Sequence, residues 1–224
     1  ARIYRNFIQG AGPRAIGVGY PGGLNLAFDA NNMRIALLWL GDFIDAARHW
    51  NGRGQGFQPP AGESVVAGAP GVPFATLESP ETPWADDLVR KDNEQQPPED
   101  GGYVFEGYRL HGEQRIPAFR YRFSGLRVED TPTPRGSSES ADTAFVRTMV
   151  LSGEEVANLY FRAAVADQIE QADGGAYLVG QDLVMRVEGG GTPVLRESGG
   201  KSELLVPVEF SAGKATLVQT IQWQ

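Results

Sequence analysis

Residues 35–60 read IALLWLGDFIDAARHWNGRGQGFQPP, and the folding of this stretch decides the class of the whole chain. It holds two of the four tryptophans, one of the two histidines, and an arginine set between glycines. Residues 35–39 are an unbroken apolar run, which periodicity alone assigns neither to a buried strand nor to a buried helix. Gly41-Asp42 then interrupts the run as a hairpin turn does. As one helix, residues 33–50 would be apolar nearly all round and would carry a glycine at the centre, a cost of ~1 kcal/mol. As two strands joined at Gly41-Asp42, the glycine falls where a positive φ is wanted. The reading therefore favours two strands, 35–39 and 43–50. Residues 51–56 then form a loop whose three glycines expose backbone N–H groups around the Arg53 guanidinium.

The segments before it follow the same logic. Residues 3–8 (IYRNFI) alternate loosely, and Gly10-Ala11-Gly12-Pro13 breaks them. Residues 15–20 (AIGVGY) set Gly17 and Gly19 on the face opposite Ile16, Val18 and Tyr20, and Pro21-Gly22-Gly23 turns the chain. Residues 24–28 put Leu24, Leu26 and Phe28 on one side. The result is a meander of short strands, with turn signals at sandwich or barrel spacing. The Gly-x-Gly pairs at 10–12 and 17–19 are no dinucleotide fingerprint. Pro13 follows the first, and neither opens an amphipathic helix in a βαβ unit.

Further along, residues 59–73 are rich in proline and glycine and read as surface loop. Residues 79–102 are the most polar segment. They read as an exposed crossing, the one candidate for a subdomain boundary or for an arm on a partner. In residues 117–130, PAFRYRFSGLRVED, Phe119, Tyr121 and Phe123 face one way and Arg120 and Arg122 the other. Ser124-Gly125 makes the turn, so this is a hairpin. Residues 131–143 read as loop. Residues 145–151, 159–165, 176–179, 183–187, 203–210 and 215–223 supply further strands, and 204–208 is apolar on both faces. About twelve to fourteen short strands with little helix imply an all-β chain. The expected form is one large antiparallel β-sandwich spanning residues 1–224, or two sheets extended into a super-sandwich.

Bulk properties narrow the function. A chain of 224 residues is long enough to bury a sizeable core without staples. The net charge of −8 and pI near 4.9 argue against nucleic acid and against anionic lipid. With no cysteine the chain has no disulfide, no thiolate metal site and no Cys-x-x-Cys-His haem anchor. No apolar run approaches the ~20 residues of a membrane helix. The opening Ala1-Arg2-Ile3-Tyr4 reads as a mature form or a piece of a longer chain.

The candidate site begins with His49, Trp50 and Arg53. An imidazole, an indole face and a guanidinium fork on a glycine loop suit a sugar or an anion. The plainer alternative is a core-capping Trp50, an ion-paired Arg53 and a surface His49. Asp45, with Asp42 and Asp29, could supply carboxylates for acid–base chemistry, although turns use aspartate routinely. Arg120, Arg122 and Arg127 form a basic stripe, either a partner-binding patch or a lattice of weak exposed ion pairs. Asp167, Glu170 and Asp173 surround a turn, but their spacing does not match a calcium loop. His111 beside Gly112 reads as exposed. No serine elbow, P-loop or His-x-x-x-His pattern is present.

The opening block RNFIQGAGPRAIGVGYPGGLNLAFDA, followed by DFIDAARHWNGRGQGFQPP, resembles an extracytoplasmic domain of unassigned activity. That domain occurs with multidomain c-type cytochrome and dehydrogenase-like proteins of planctomycete and verrucomicrobial type. FEGYRL, PAFRYRFSGLRVED, ELLVPVEF and IQW are similar to its later blocks. The resemblance implies an all-β fold, a periplasmic or extracellular location, and work beside a haem domain. The chain departs from such neighbours in having no haem anchor of its own, so any haem belongs to a partner chain or another segment. Two functions of different class follow. One is a non-catalytic module binding a partner subunit, such as a c-type cytochrome, or carbohydrate. The other is a sugar-active enzyme using Asp42, Asp45 and His49. A purely structural role is the remaining alternative.

Overall fold

The computed structural model describes residues 1–49, 56–84 and 102–224, of which Arg48 and His49 are described by backbone alone. The chain is all-β and antiparallel, with seventeen strands in three sheets among the described residues. The first sheet is a meander in sequence order: β1 (Arg2–Ile8), β2 (Gly12–Gly19), β3 (Leu24–Asp29), β4 (Arg34–Leu40) and β5 (Glu63–Ala67). The eight-stranded sheet runs, from one edge to the other, β12 (Ile169–Gln171), β13 (Tyr177–Val179), β14 (Leu183–Glu188), β17 (Lys214–Trp223), β10 (Ala144–Ser152), β9 (Leu126–Arg135), β8 (Ile116–Phe123) and β7 (Val104–His111). The four-stranded sheet is ordered β15 (Val194–Ser198), β16 (Lys201–Pro207), β11 (Leu159–Ala166) and β6 (Phe74–Thr76).

The five- and four-stranded sheets together face the eight-stranded one across a single apolar core. Aromatic pairs fix the spacing on both halves. The Phe28 ring lies on Phe119 at 4.0 Å, with 5° between planes. Phe74 stacks on Phe123 at 5.6 Å. Such offset ring pairs add about 0.5–1.5 kcal/mol each beyond the area they bury.

The hairpin β8–β9 forms as its alternation predicts. Phe119, Tyr121 and Phe123 are buried, and Phe123 pairs with Leu126 across a two-residue turn. Both turn residues take positive φ, Ser124 at 46° and Gly125 at 76°, the geometry that matches strand twist. In β16 every residue from Ser202 to Val206 is buried, as its two-faced apolar pattern implies.

The structure exceeds the expected strand number because three short segments read as loop or passed over are paired as β5, β12 and β15, and β9 also runs longer than expected. Residues 63–67 form β5 against β4, and β15 pairs with β16. Residues 131–135 continue β9 despite Pro132 and Pro134. Beyond Asp130 no residue of β9 pairs with β8; only β10 pairs there. The missing proline N–H groups can therefore face an open edge, where a strand tolerates them.

The stretch quoted first divides as expected at Gly41, whose φ is +83°. The first half is β4. The second half is not a strand: residues 42–45 are irregular and Ala46–His49 is a 3-10 turn. The Asp45 carboxylate accepts the Ala47 N–H at 2.9 Å, a side-chain turn that competes with sheet pairing.

Candidate functional site

The five-stranded sheet has an unusual outer face, and the sequence dictates it. Ala15, Gly17 and Gly19 on β2, Ala27 on β3 and Ala36 on β4 carry almost no side chain. The low relief admits a second, smaller core of Ile8, Ala11, Ala15, Ala27, Ala36, Leu37 and Trp39. The segment after β4 folds down onto it. A Cβ built on Gly19 would stand 2.7 Å from Phe43 Cγ and 3.0 Å from both Cδ atoms. The Phe43 ring therefore lies flat across the glycine. Gly17 makes room in the same way for Phe43 and Ile44.

Two further anchors hold this segment. Trp39 Nε1 donates to the carbonyls of Asp42 (2.9 Å) and Phe43 (3.1 Å), and its ring lies parallel to Phe43. On the far side, Gln58 is wholly buried. Its N–H donates to Phe7 O, and its carbonyl accepts Gln9 N–H, both at 2.9 Å. The loop expected to carry the site is thus pinned at residues 42–45 and at 56–62, and both anchors are described.

Of the predicted site residues, His49 (side chain), Trp50 and Arg53 lie outside the described residues. Asp45 is exposed and engaged in its turn. Asp42 is also exposed, while Asp29 is buried. Asp29 accepts Asn31 N–H and Asn32 Nδ2 and lies 3.5 Å from Arg34, so it organises the β3–β4 turn. The three aspartates are not brought together. Arg120 is half-buried and Arg122 exposed. Arg122 and Arg127 both face Glu106 on β7, at 3.7 and 3.3 Å. Such exposed pairs contribute little each. The acidic run of residues 86–94 lies outside the described residues. Asp167 pairs with Lys201, which holds its carboxyl below the usual range, and Glu170 accepts Gln168. Among the described residues, no group of three His, Cys, Asp or Glu is arranged to hold a metal. His111 is exposed.

Two features of this region escaped the sequence reading. The first is an aromatic pair beside the loop. Phe7 is 46% and Phe57 48% exposed, with ring centroids 5.6 Å apart. Val65 and Leu195 are the other large apolar side chains this exposed among the described residues, and neither has such a ring partner. Basic side chains flank the pair on an otherwise acidic chain: Arg5 on β1 and Arg14 on β2 are exposed, and no Asp or Glu precedes Asp29 in the sequence. A groove of about 300 Å³ runs between Arg5, Phe7, Arg14 and Phe105. Among the described residues β1 is an edge strand, bridged by Gln58 at its Ile8 end alone.

The second is a cleft of about 440 Å³ at the end of the same sheet, where Arg2, Asn25, Asp42 and Phe43 meet the Pro21-Gly22-Gly23 turn. Among its described lining residues Asp42 is the one carboxylate. Asn25 Nδ2 is committed to Gly41 O at 3.0 Å and Gly23 O at 3.3 Å.

Residues 26–130 match the model of a domain of unknown function (DUF6797). The match covers just under half of the chain. It runs from β3 into β9, so it takes in the loop and both of its anchors but not β1. No curated protein and no solved structure matches the chain.

Proposed function

We propose that this chain is a non-catalytic binding module that engages a partner protein through the edge of its five-stranded sheet. The observation that carries the reading is the exposed Phe7–Phe57 pair, with Arg5 and Arg14 beside Phe7, on an otherwise acidic chain. Aromatic and arginine side chains dominate the energetics of protein interfaces. An open edge strand offers main-chain hydrogen bonds to an extended segment. The partner that fits is a protein presenting acidic and apolar side chains. The resemblance to extracytoplasmic domains found beside c-type cytochromes supports a partner subunit of a periplasmic or extracellular assembly, with any haem on that partner.

Copurification tests this. The native chain and a Phe7→Ser/Phe57→Ser variant are isolated in parallel, and bound material is read by haem absorbance, mass spectrometry and glycan analysis. The expected result is a protein that accompanies the native chain and is lost from the variant, whose circular dichroism is unchanged. Equal recovery with both chains would refute the assignment.

Carbohydrate is a second reading, favoured by the cleft beside Phe43, whose Asp42 and Arg2 suit sugar hydroxyls. It predicts glycan on the native chain, lost on Asp42→Asn/Arg2→Ala and retained on the phenylalanine variant.

A further inference from the structure

Where the three sheets meet, charged side chains are buried within the apolar interior. Arg147 on β10 is buried and grips Asp130 on β9 with both ends of its fork, Nε to Oδ1 at 2.9 Å and Nη2 to Oδ2 at 2.5 Å. Its Nη1 reaches Gln219 on β17, and Gln219 donates to Ala163 O at 2.9 Å. On β11, Arg162 pairs with Glu203, which also pairs with Arg196 at 2.6 Å. Arg34 on β4 lies 3.5 Å from Asp29, without a formed hydrogen bond from its Nε. Arg34 and Arg162 then donate to successive carbonyls of the segment joining the five- and four-stranded sheets, Ala69 O at 3.2 Å and Pro70 O at 3.0 Å.

Two like charges are thus drawn to one short segment. Each buried arginine has a carboxylate partner, Asp29 for Arg34, Asp130 for Arg147 and Glu203 for Arg162, but none of these three carboxylates lines the space between the arginines. The Arg162 side chain is 8% exposed, and its Nε meets no acceptor among the described residues. Burial pulls the Arg34 pKa down against the upward pull of Asp29. An unmet buried donor is costly.

Beside them is a cavity of about 30 Å³, lined by Arg34, Arg147, Arg162 and Gln219 and walled by apolar side chains including Leu38 and Met185. We propose that this cavity binds a single halide-sized anion, which joins Arg34 on the five-stranded sheet to Arg162 on the four-stranded sheet. Its volume admits one such ion or one or two waters and is too small for a sugar. Among the described residues, three guanidinium groups and no carboxylate line it, which selects an ion over neutral water. The part-apolar wall suits a polarisable, weakly hydrated halide.

The test uses the whole chain. Crystals soaked in bromide are expected to show an anomalous peak between Arg34 and Arg162. The melting temperature is expected to rise saturably with chloride or bromide over gluconate at equal ionic strength. Arg34→Gln is expected to lose that halide-dependent rise. If Arg34→Gln does not fold, the wild-type bromide map and titration decide alone. A cavity without anomalous signal, a melting temperature indifferent to halide, or a peak seen only at soaking concentration with no thermal effect (an adventitious ion only) would overturn the proposal.

Discussion

Replacing Gly19 by alanine places a methyl group where the Phe43 ring now rests, 2.7 Å from Cγ. Gly19 is not among the positive-φ positions, so the penalty is steric and falls on the contact between loop and sheet. Overpacking of this kind costs about 1–3 kcal/mol. Phe43→Ala alone should cost about 1–1.5 kcal/mol, since the ring is half-buried and full burial of a phenylalanine contributes roughly twice that. In the double variant the new methyl occupies space the ring has left. The two losses should then fail to add, by about 1 kcal/mol or more. Urea unfolding of the four proteins, followed by fluorescence of the tryptophans, measures this cycle; Trp39 lies parallel to Phe43 and reports on the contact. Additivity within about 0.5 kcal/mol would mean that ring and glycine are not coupled. The account of the small-residue face as a seat for the loop would then fail.

Three further outcomes follow from the interior and the surface. Removing one partner of the buried Arg147–Asp130 pair, as in Asp130→Ala, should cost about 3–5 kcal/mol. Replacing both, as in Asp130→Leu/Arg147→Met, should recover much of that loss in the same urea assay. Burial pushes the hydroxyls of Tyr20, Tyr103 and Tyr121 well above the ordinary tyrosine range. The folded state therefore keeps protons that the unfolded chain loses near pH 10, so their contribution is intact below that pH. It falls above it by up to about 1.4 kcal/mol per tyrosine per pH unit; urea midpoints that stay level from pH 9 to 11.5 would contradict this. Neutralising Arg122 and Arg127 together should change stability by less than about 1 kcal/mol, because their shared partner Glu106 is at the surface.

The sequence made the architecture legible wherever alternation was clean. The meander β1 to β4 and the hairpin at Ser124-Gly125 could be read residue by residue. It failed where side chains compete with the backbone or where an edge changes the rules. Asp45 turns the chain after Phe43 into a 3-10 turn, although the apolar spacing of 43–50 suits a strand. Pro132 and Pro134 signal a loop until the pairing shows them on an open edge. The site was legible only in outline. Gly17 and Gly19 stood out as a bare face, but their purpose depends on Phe43 arriving from a later segment. The Phe7–Phe57 pair joins residues fifty positions apart, which no local pattern reveals. The buried charges did leave a trace. Arg147 shares a strand face with Phe145 and Met149, and Asp130 shares one with Leu126 and Val128. A charged residue at a core register calls for a partner, though the sequence does not say which one.

The central claim is that binding uses the β1 edge and the aromatic pair beside it. Amide hydrogen exchange of the native chain, alone and with its copurified partner, tests this most directly. The account predicts new protection over Arg2–Phe7 and around Phe57, with the Arg122–Arg127 hairpin unchanged. Protection confined to that hairpin, or to the cleft at Asp42 and Phe43, would contradict it.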